Sequence, residues 1–208
     1  MEDKKTVRRN LWFYPLGTIG RDMIYQLFNS FILTFILLTK DLTTGQMVAV
    51  TGIMIAARIF DALNDPLMGV IIEKTKTKWG KFKPWLLIGM ITTAGVIIAT
   101  FCIDVKGWAF IGLFGAMYFL YSITYTMHDI SYWGMIPSLS SDPDTRNKYS
   151  SRAVLFAGLG ATAAGRLIPM FTVGSGALGG SAKSGFAIVS IATAVIGLFF
   201  ISFTIFGI

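Results

Sequence analysis

The chain has 208 residues, of which 54% are apolar and 14% charged, with a formal net charge of +7. Its mean hydropathy is +0.65, and an average soluble domain carries about 25% charged residues, so this composition excludes a soluble globular protein. The single cysteine, Cys102, excludes an internal disulfide and any cysteine-based metal cluster.

Six apolar stretches of spanning length follow one another, at residues 11–39, 46–72, 84–103, 107–137, 152–173 and 185–208. Each meets the ~20 residues that a helix rising 1.5 Å per residue needs to cross about 30 Å of hydrocarbon. The predicted fold is an all-α membrane protein of six transmembrane helices forming one domain over residues 1–208. The first span is preceded by Lys4, Lys5, Arg8 and Arg9, as a secretory signal would be, but Arg21 and Asp22 interrupt it and no small-residue cleavage pattern follows. It reads as an uncleaved span. Arg21 and Asp22 are adjacent and point about 100° apart on a helix, which predicts one facing the interior and the other pairing with a neighbour.

The second span carries the densest chemistry. Arg58, Asp61 and Asp65 fall at i, i+3 and i+7, on one helical face. Each such charge at a bilayer centre costs roughly 2.5–3.5 kcal/mol, which is why it marks a protein interior or a wet path for ions and substrates. Two carboxylates that close cannot both ionise cheaply, so either one binds a proton or a cation bridges them. Pro66 lacks an N–H and leaves the Ala62 carbonyl without its helical donor; freed carbonyls and carboxylates suit an alkali cation at a broken transporter helix. A buried ion-pair network that only joins helices is the structural alternative. The connection after this span, from Glu73 to Lys83, holds five lysines.

The fourth span sets Thr126, Asp129 and Trp133 at i−3, i and i+4. A carboxylate one turn from an indole offers a hydrogen-bonding edge and a flat apolar face, as a sugar ring requires, although Trp133 alone reads equally as an interfacial aromatic. His128, the one histidine, reads as a packed residue before it reads as a proton relay. In the fifth span the run from Ala157 to Gly165 sets small residues at i, i+4 spacing, a helix-packing face. Arg166 beyond it either snorkels to the interface or completes a charge network. No Cys/His pairing, GxSxG, HExxH or P-loop spacing occurs.

Charge distribution sets topology. The N-terminal segment, the connection after span two and the segment 138–152 hold twelve Lys/Arg, against Lys40, Lys106 and Lys183 on the alternate side. By the positive-inside rule this predicts a multi-pass protein of the cytoplasmic membrane, with the N-terminus in the cytoplasm. The basic charge is topological, and nucleic acid is not an expected partner.

Three motifs in this order carry a family resemblance: Arg58-Ile-Phe-Asp-Ala-Leu-Asn-Asp-Pro66, Lys78-Trp-Gly-Lys-Phe-Lys-Pro-Trp85 and Tyr125-Thr-Met-His-Asp-Ile-Ser-Tyr-Trp133. Together they resemble the glycoside-pentoside-hexuronide:cation symporters, over about residues 14–169. The resemblance implies a bacterial transporter of the major-facilitator type that moves a sugar or glycoside with sodium or a proton, and it implies no cofactor. It further implies cation binding by Asp61, Asn64, Asp65 and Thr126, with Asp61 and Asp65 the carboxylates of an alkali-cation site, and sugar contacts from Arg21, Asp22, Asp129, Trp133 and Arg152. The lysine-rich turn Lys74–Lys83 resembles the cytoplasmic loop that such transporters use in changing conformation. The chain departs from the family in carrying Arg21 where a lysine is expected and Asn29 where an aromatic is expected, which bears on sugar preference.

A full family member has two six-span halves, so the expectation is an N-terminal half whose C-terminal bundle lies outside this sequence. Two other readings follow from the residues: a half-size carrier or pore that closes its cavity by pairing with a second copy, and an intramembrane aspartyl enzyme. The enzyme reading fits less well, because the paired acids share one helix and no GxGD segment exists.

Overall fold

The computed structural model describes residues 4–208. Its order is α1 (Lys4–Thr39), α2 (Thr44–Lys74), α3 (Lys83–Cys102), α4 (Gly107–Gly134), the single turn α5 (Ile136–Leu139), α6 (Pro143–Thr172) and α7 (Ala182–Gly207), with two 3₁₀ turns between α6 and α7. Six of these elements are long and apolar enough to cross a membrane. They correspond one to one with the six apolar stretches of the sequence, but the ends differ where polar residues cap them. Asp142 accepts the Thr145 N–H at 2.9 Å and Pro143 opens the helix, so α6 begins nine residues before the predicted boundary at residue 152. A capping box between Thr43 and Gln46 starts α2, at 3.0 and 3.4 Å. That helix runs on through Pro66 as a continuous α-helix, so of the break or kink expected at Pro66 the break does not occur.

α1 is the central stave. It packs along α6 and α7, while α4 lies between α2 and α3, and α3 closes the bundle against α7. Close approach is made by glycines: Gly20 faces the Gly197 backbone, and a Cβ on Gly160 would run into the Ile19 carbonyl oxygen. Part of the small-residue face of α6, at Ala153, Gly160 and Ala164, is therefore spent inside this chain against its neighbours, whereas Gly158 meets nothing within 4 Å. α1 and α4 are further locked by a reciprocal pair. The Tyr14 hydroxyl donates to the Tyr132 carbonyl and the Tyr132 hydroxyl to the Tyr14 carbonyl, both at 2.8 Å, with the rings stacked at 4.4 Å.

α2 and α6 keep wide open apolar faces, with Ile59, Leu63 and Leu67 on one and Val154, Leu159 and Met170 on the other exposed. At the end of the bundle away from the lysine-rich turn, Asp104 accepts from Lys183 at 2.6 Å and from Lys40 at 3.4 Å, tying the α1–α2 and α3–α4 connections to the first turn of α7. These two lysines hold the Asp104 carboxyl below its usual range. Because the folded-state value is depressed, this clamp is intact from neutral pH down through the ordinary carboxylate range and is lost only as pH falls through the lowered value.

Gly160→Leu should weaken the α1–α6 contact by about 1–3 kcal/mol, the usual cost of overpacking, while Gly95→Leu, at a site with nothing within 4 Å, should be nearly neutral. Thermal unfolding of the purified protein in detergent checks the difference.

Candidate functional site

Three helices place their polar residues toward one another. On α1 these are Arg21, Tyr25 and Asn29, on α2 Arg58, Asp61 and Asp65, and on α4 Ser122, Thr126 and Asp129; in each helix the spacing of three, four or seven keeps them on one stripe. They converge on a cavity of about 290 Å³ lined by Tyr25 and Asn29 of α1, Arg58, Asp61 and Asp65 of α2, and Tyr121, Ser122, Tyr125, Thr126 and Asp129 of α4.

Arg21 is the hub of its wall. Its side chain is only 4% exposed, and it donates through Nη1 to Asp129 at 2.9 Å and through Nη2 and Nε to Asp22 at 2.8 and 3.0 Å. Its guanidinium carbon lies 5.1 Å from the ring centres of both Tyr132 and Trp133, a cation–π arrangement. Asp22 pairs with a neighbour, as the sequence predicts for one of the two, and that neighbour is Arg21 itself. The long guanidinium stem bends back over its neighbour, so a 100° offset at the backbone does not keep the charged ends apart. Arg21, Asp22 and Trp133 thus stand behind the cavity and reach it through Asp129, without lining it themselves.

The second wall is set by α2 against α4. Ser122 donates to Asp61 and Thr126 donates to Asp65, the latter at 3.0 Å. Both pairs join residues 61 apart, as expected of two helices running in the same direction in register, turn for turn. Arg58 Nη1 lies 3.7 Å from Asp61, while among the described residues Asp65 has no cationic partner within salt-bridge distance and accepts from the neutral Thr126 hydroxyl. The site therefore sets four carboxylates, Asp22, Asp61, Asp65 and Asp129, against two guanidinium groups. With all groups ionised it carries a surplus of one negative charge at each end, but the Asp61 and Asp65 end is the less tightly paired, since Arg58 stands 3.7 Å from Asp61 against 2.8 and 2.9 Å for the two pairs of Arg21. Asn64, predicted beside them, does not line the cavity, and its amide nitrogen is buried without a hydrogen-bond partner.

Arg152 is not brought into this site. It donates to the Leu11 carbonyl at 3.2 Å and its guanidinium sits 5.2 Å from the Trp12 ring, in a separate depression with Asp144, Asn147, Lys148 and Ser151. The early start of α6 puts Arg152 beside Leu11, ten residues before Arg21, which is roughly 15 Å along the axis at 1.5 Å per residue. His128 is fully buried with both ring nitrogens unpartnered, edge-on to Tyr125 at 4.6 Å, and so makes no proton path to Asp129. Ser122 escaped the sequence reading although it lies one turn before Thr126, as did Tyr25 and Tyr121; Tyr125 entered only as the first residue of a motif, and Asn29 as a departure from a pattern.

A polar, carboxylate-rich cavity between membrane-spanning helices defines the class as a multi-pass membrane transporter. Residues 13–208 match the family model described as MFS/sugar transport protein, and the chain belongs to that family. It is 35% identical over 151 residues to a lactose permease of Lactobacillus helveticus, an alignment covering 66% of this chain and 23% of that protein. A lactose permease of Lactobacillus delbrueckii subsp. bulgaricus is 30% identical over 196 residues, 89% of this chain and 31% of the relative. The raffinose carrier protein of Pediococcus pentosaceus is 29% identical over 167 residues, 74% and 25% of the two chains. The chain thus spans between about a quarter and a third of the length of these relatives. Membership in a family of transporters replaces the intramembrane aspartyl enzyme as a reading of the paired acids.

Removing Arg21 strands two carboxylates. Arg21→Met should lower stability by about 3–5 kcal/mol, the cost of breaking a buried ion pair. Adding Asp22→Asn and Asp129→Asn to that variant should recover most of the loss, as read by thermal unfolding in detergent.

Proposed function

We propose that this bundle supplies the cation site and much of the sugar site of a sugar symporter, which takes up a sugar or glycoside together with sodium or a proton. The observation that carries the reading is the uneven pairing of the acids: Arg21 bonds directly to two carboxylates at one end, whereas at the other Asp61 and Asp65 accept from neutral hydroxyls and Arg58 stands 3.7 Å from Asp61. Carboxylate and hydroxyl oxygens from two helices are hard ligands at a spacing that an alkali cation or a proton can neutralise. Asp61, Asp65 and Thr126 hold the cation in this reading, and Asn64 joins them by turning its amide. Asp129 and Arg21 present hydrogen-bonding groups to sugar hydroxyls, Trp133 orients Arg21, and Asp22 fixes its charge. Arg152 is left out, since it lies beside Leu11 and Trp12.

Sugar cargo is supported by the lactose and raffinose named for the relatives. The open apolar faces of α2 and α6 flank the polar wall, as expected if a second six-helix bundle, the C-terminal half or another copy, covers the cavity and rocks against it. In this reading the N-terminus and the lysine-rich turn are cytoplasmic, and the membrane is the cytoplasmic membrane of a bacterium.

In the protein as its gene encodes it, Asp65→Asn should abolish cation-driven accumulation of sugar while leaving downhill exchange. Accumulation at the wild-type level in membrane vesicles would contradict the cation assignment. Asp129→Asn should weaken sugar binding about five- to hundredfold, the effect of a lost hydrogen bond worth roughly 1–3 kcal/mol. Titration of the purified variant with lactose and raffinose checks it.

A further inference from the structure

Arg58 has two possible anchors, and it is bonded to the neutral one. Its Nη2 donates to Asn29 Oδ1 at 2.8 Å, while Nη1 stands 3.7 Å from Asp61, beyond direct hydrogen-bond reach. Asn29 is itself held, for its amide nitrogen donates to the Tyr121 hydroxyl at 3.0 Å and to its own helix at the Tyr25 carbonyl at 3.2 Å. Tyr121 is fixed in turn by stacking on Phe28 with ring centres 3.7 Å apart. A rigid chain of bonds therefore runs from the α1–α4 core to a guanidinium poised beside the first carboxylate of the cation site.

We propose that Asn29 is a positioning residue for cation coupling: it parks Arg58 away from Asp61, so that the co-transported cation meets a carboxylate not already neutralised by a resident guanidinium. The inference rests on the cation assignment above. The guanidinium and the cation compete for Asp61, and a bond that restrains one favours the other. An amide suits the task because it accepts from Arg58 without adding charge. Loss of Asn29 lets Arg58 close on Asp61, and a carboxylate in its place holds Arg58 away more firmly, since charge-assisted bonds are the stronger ones.

The test is the half-activating concentration of sodium, and of protons, for sugar uptake by the protein as its gene encodes it, expressed in membrane vesicles. Asn29→Ala should raise that concentration about ten- to hundredfold, a change of the size expected when one hydrogen bond to a charged group is lost, and Asn29→Asp should lower it. In an Arg58→Gln background, Asn29→Ala should produce no further shift, because the group that Asn29 positions is gone. The proposal is overturned if both Asn29 variants shift the requirement in the same direction, or if the alanine effect survives undiminished without Arg58. Where the alanine variant does not reach the membrane, the aspartate variant decides by the sign of its shift alone. Wild-type uptake indifferent to both cations would overturn the cation assignment and this proposal together, whereas a cation-dependent wild type with unmoved Asn29 variants would overturn this proposal alone.

Discussion

The arrangement depends on one buried guanidinium. An arginine in hydrocarbon is tolerated when its charge is met and its donors are occupied, and Arg21 achieves both with Asp22, Asp129 and the faces of Tyr132 and Trp133. The reciprocal Tyr14–Tyr132 bonds and the Gly160 approach to Ile19 keep α1 where that network needs it. Fixing Arg21 in this way gives α1 and α4 a definite register, and α4 then presents Ser122 and Thr126 to the two carboxylates of α2 in step.

α4 thereby serves two walls at once. Asp129 answers to α1, and one and two turns earlier Thr126 and Ser122 answer to α2, so a shift of α4 alters both ends of the cavity. Three groups, Asp61, Asp65 and Arg58, stand where charge is least settled, while the Arg21 end is closed by ion pairs. In the proposed reading a cation entering the cavity is drawn to the first region, and a neutral sugar, with hydroxyls that both accept and donate, is served by the second. This physical division supports symport, because one polar helix stripe links the two.

Much of the fold was legible in the sequence. Apolar length located all six spans, and the misjudged ends include that of the fourth, where α4 stops at Gly134, and the polar start of the fifth: hydropathy fades across 143–151, whereas the helix there is started by Asp142 and Pro143. Helical spacing grouped Arg58 with Asp61 and Asp65, and Thr126 with Asp129. What spacing could not supply was depth and partnership between helices. Arg152 looked like a neighbour of the cavity until the length of α6 placed it beside Leu11, and Asn29 gained its meaning only when the α1–α2 approach set it against Arg58. Pro66 did not break α2, because removal of one N–H leaves the remaining hydrogen bonds of the helix continuous.

Symport by this cavity requires that its two ends be thermodynamically coupled. Isothermal titration of the purified protein, as its gene encodes it, with lactose at several sodium and proton concentrations measures that directly. The account predicts that the driving cation raises sugar affinity and that sugar raises cation affinity by the same factor, as linkage demands. Sugar affinity unchanged across both cation series would contradict it.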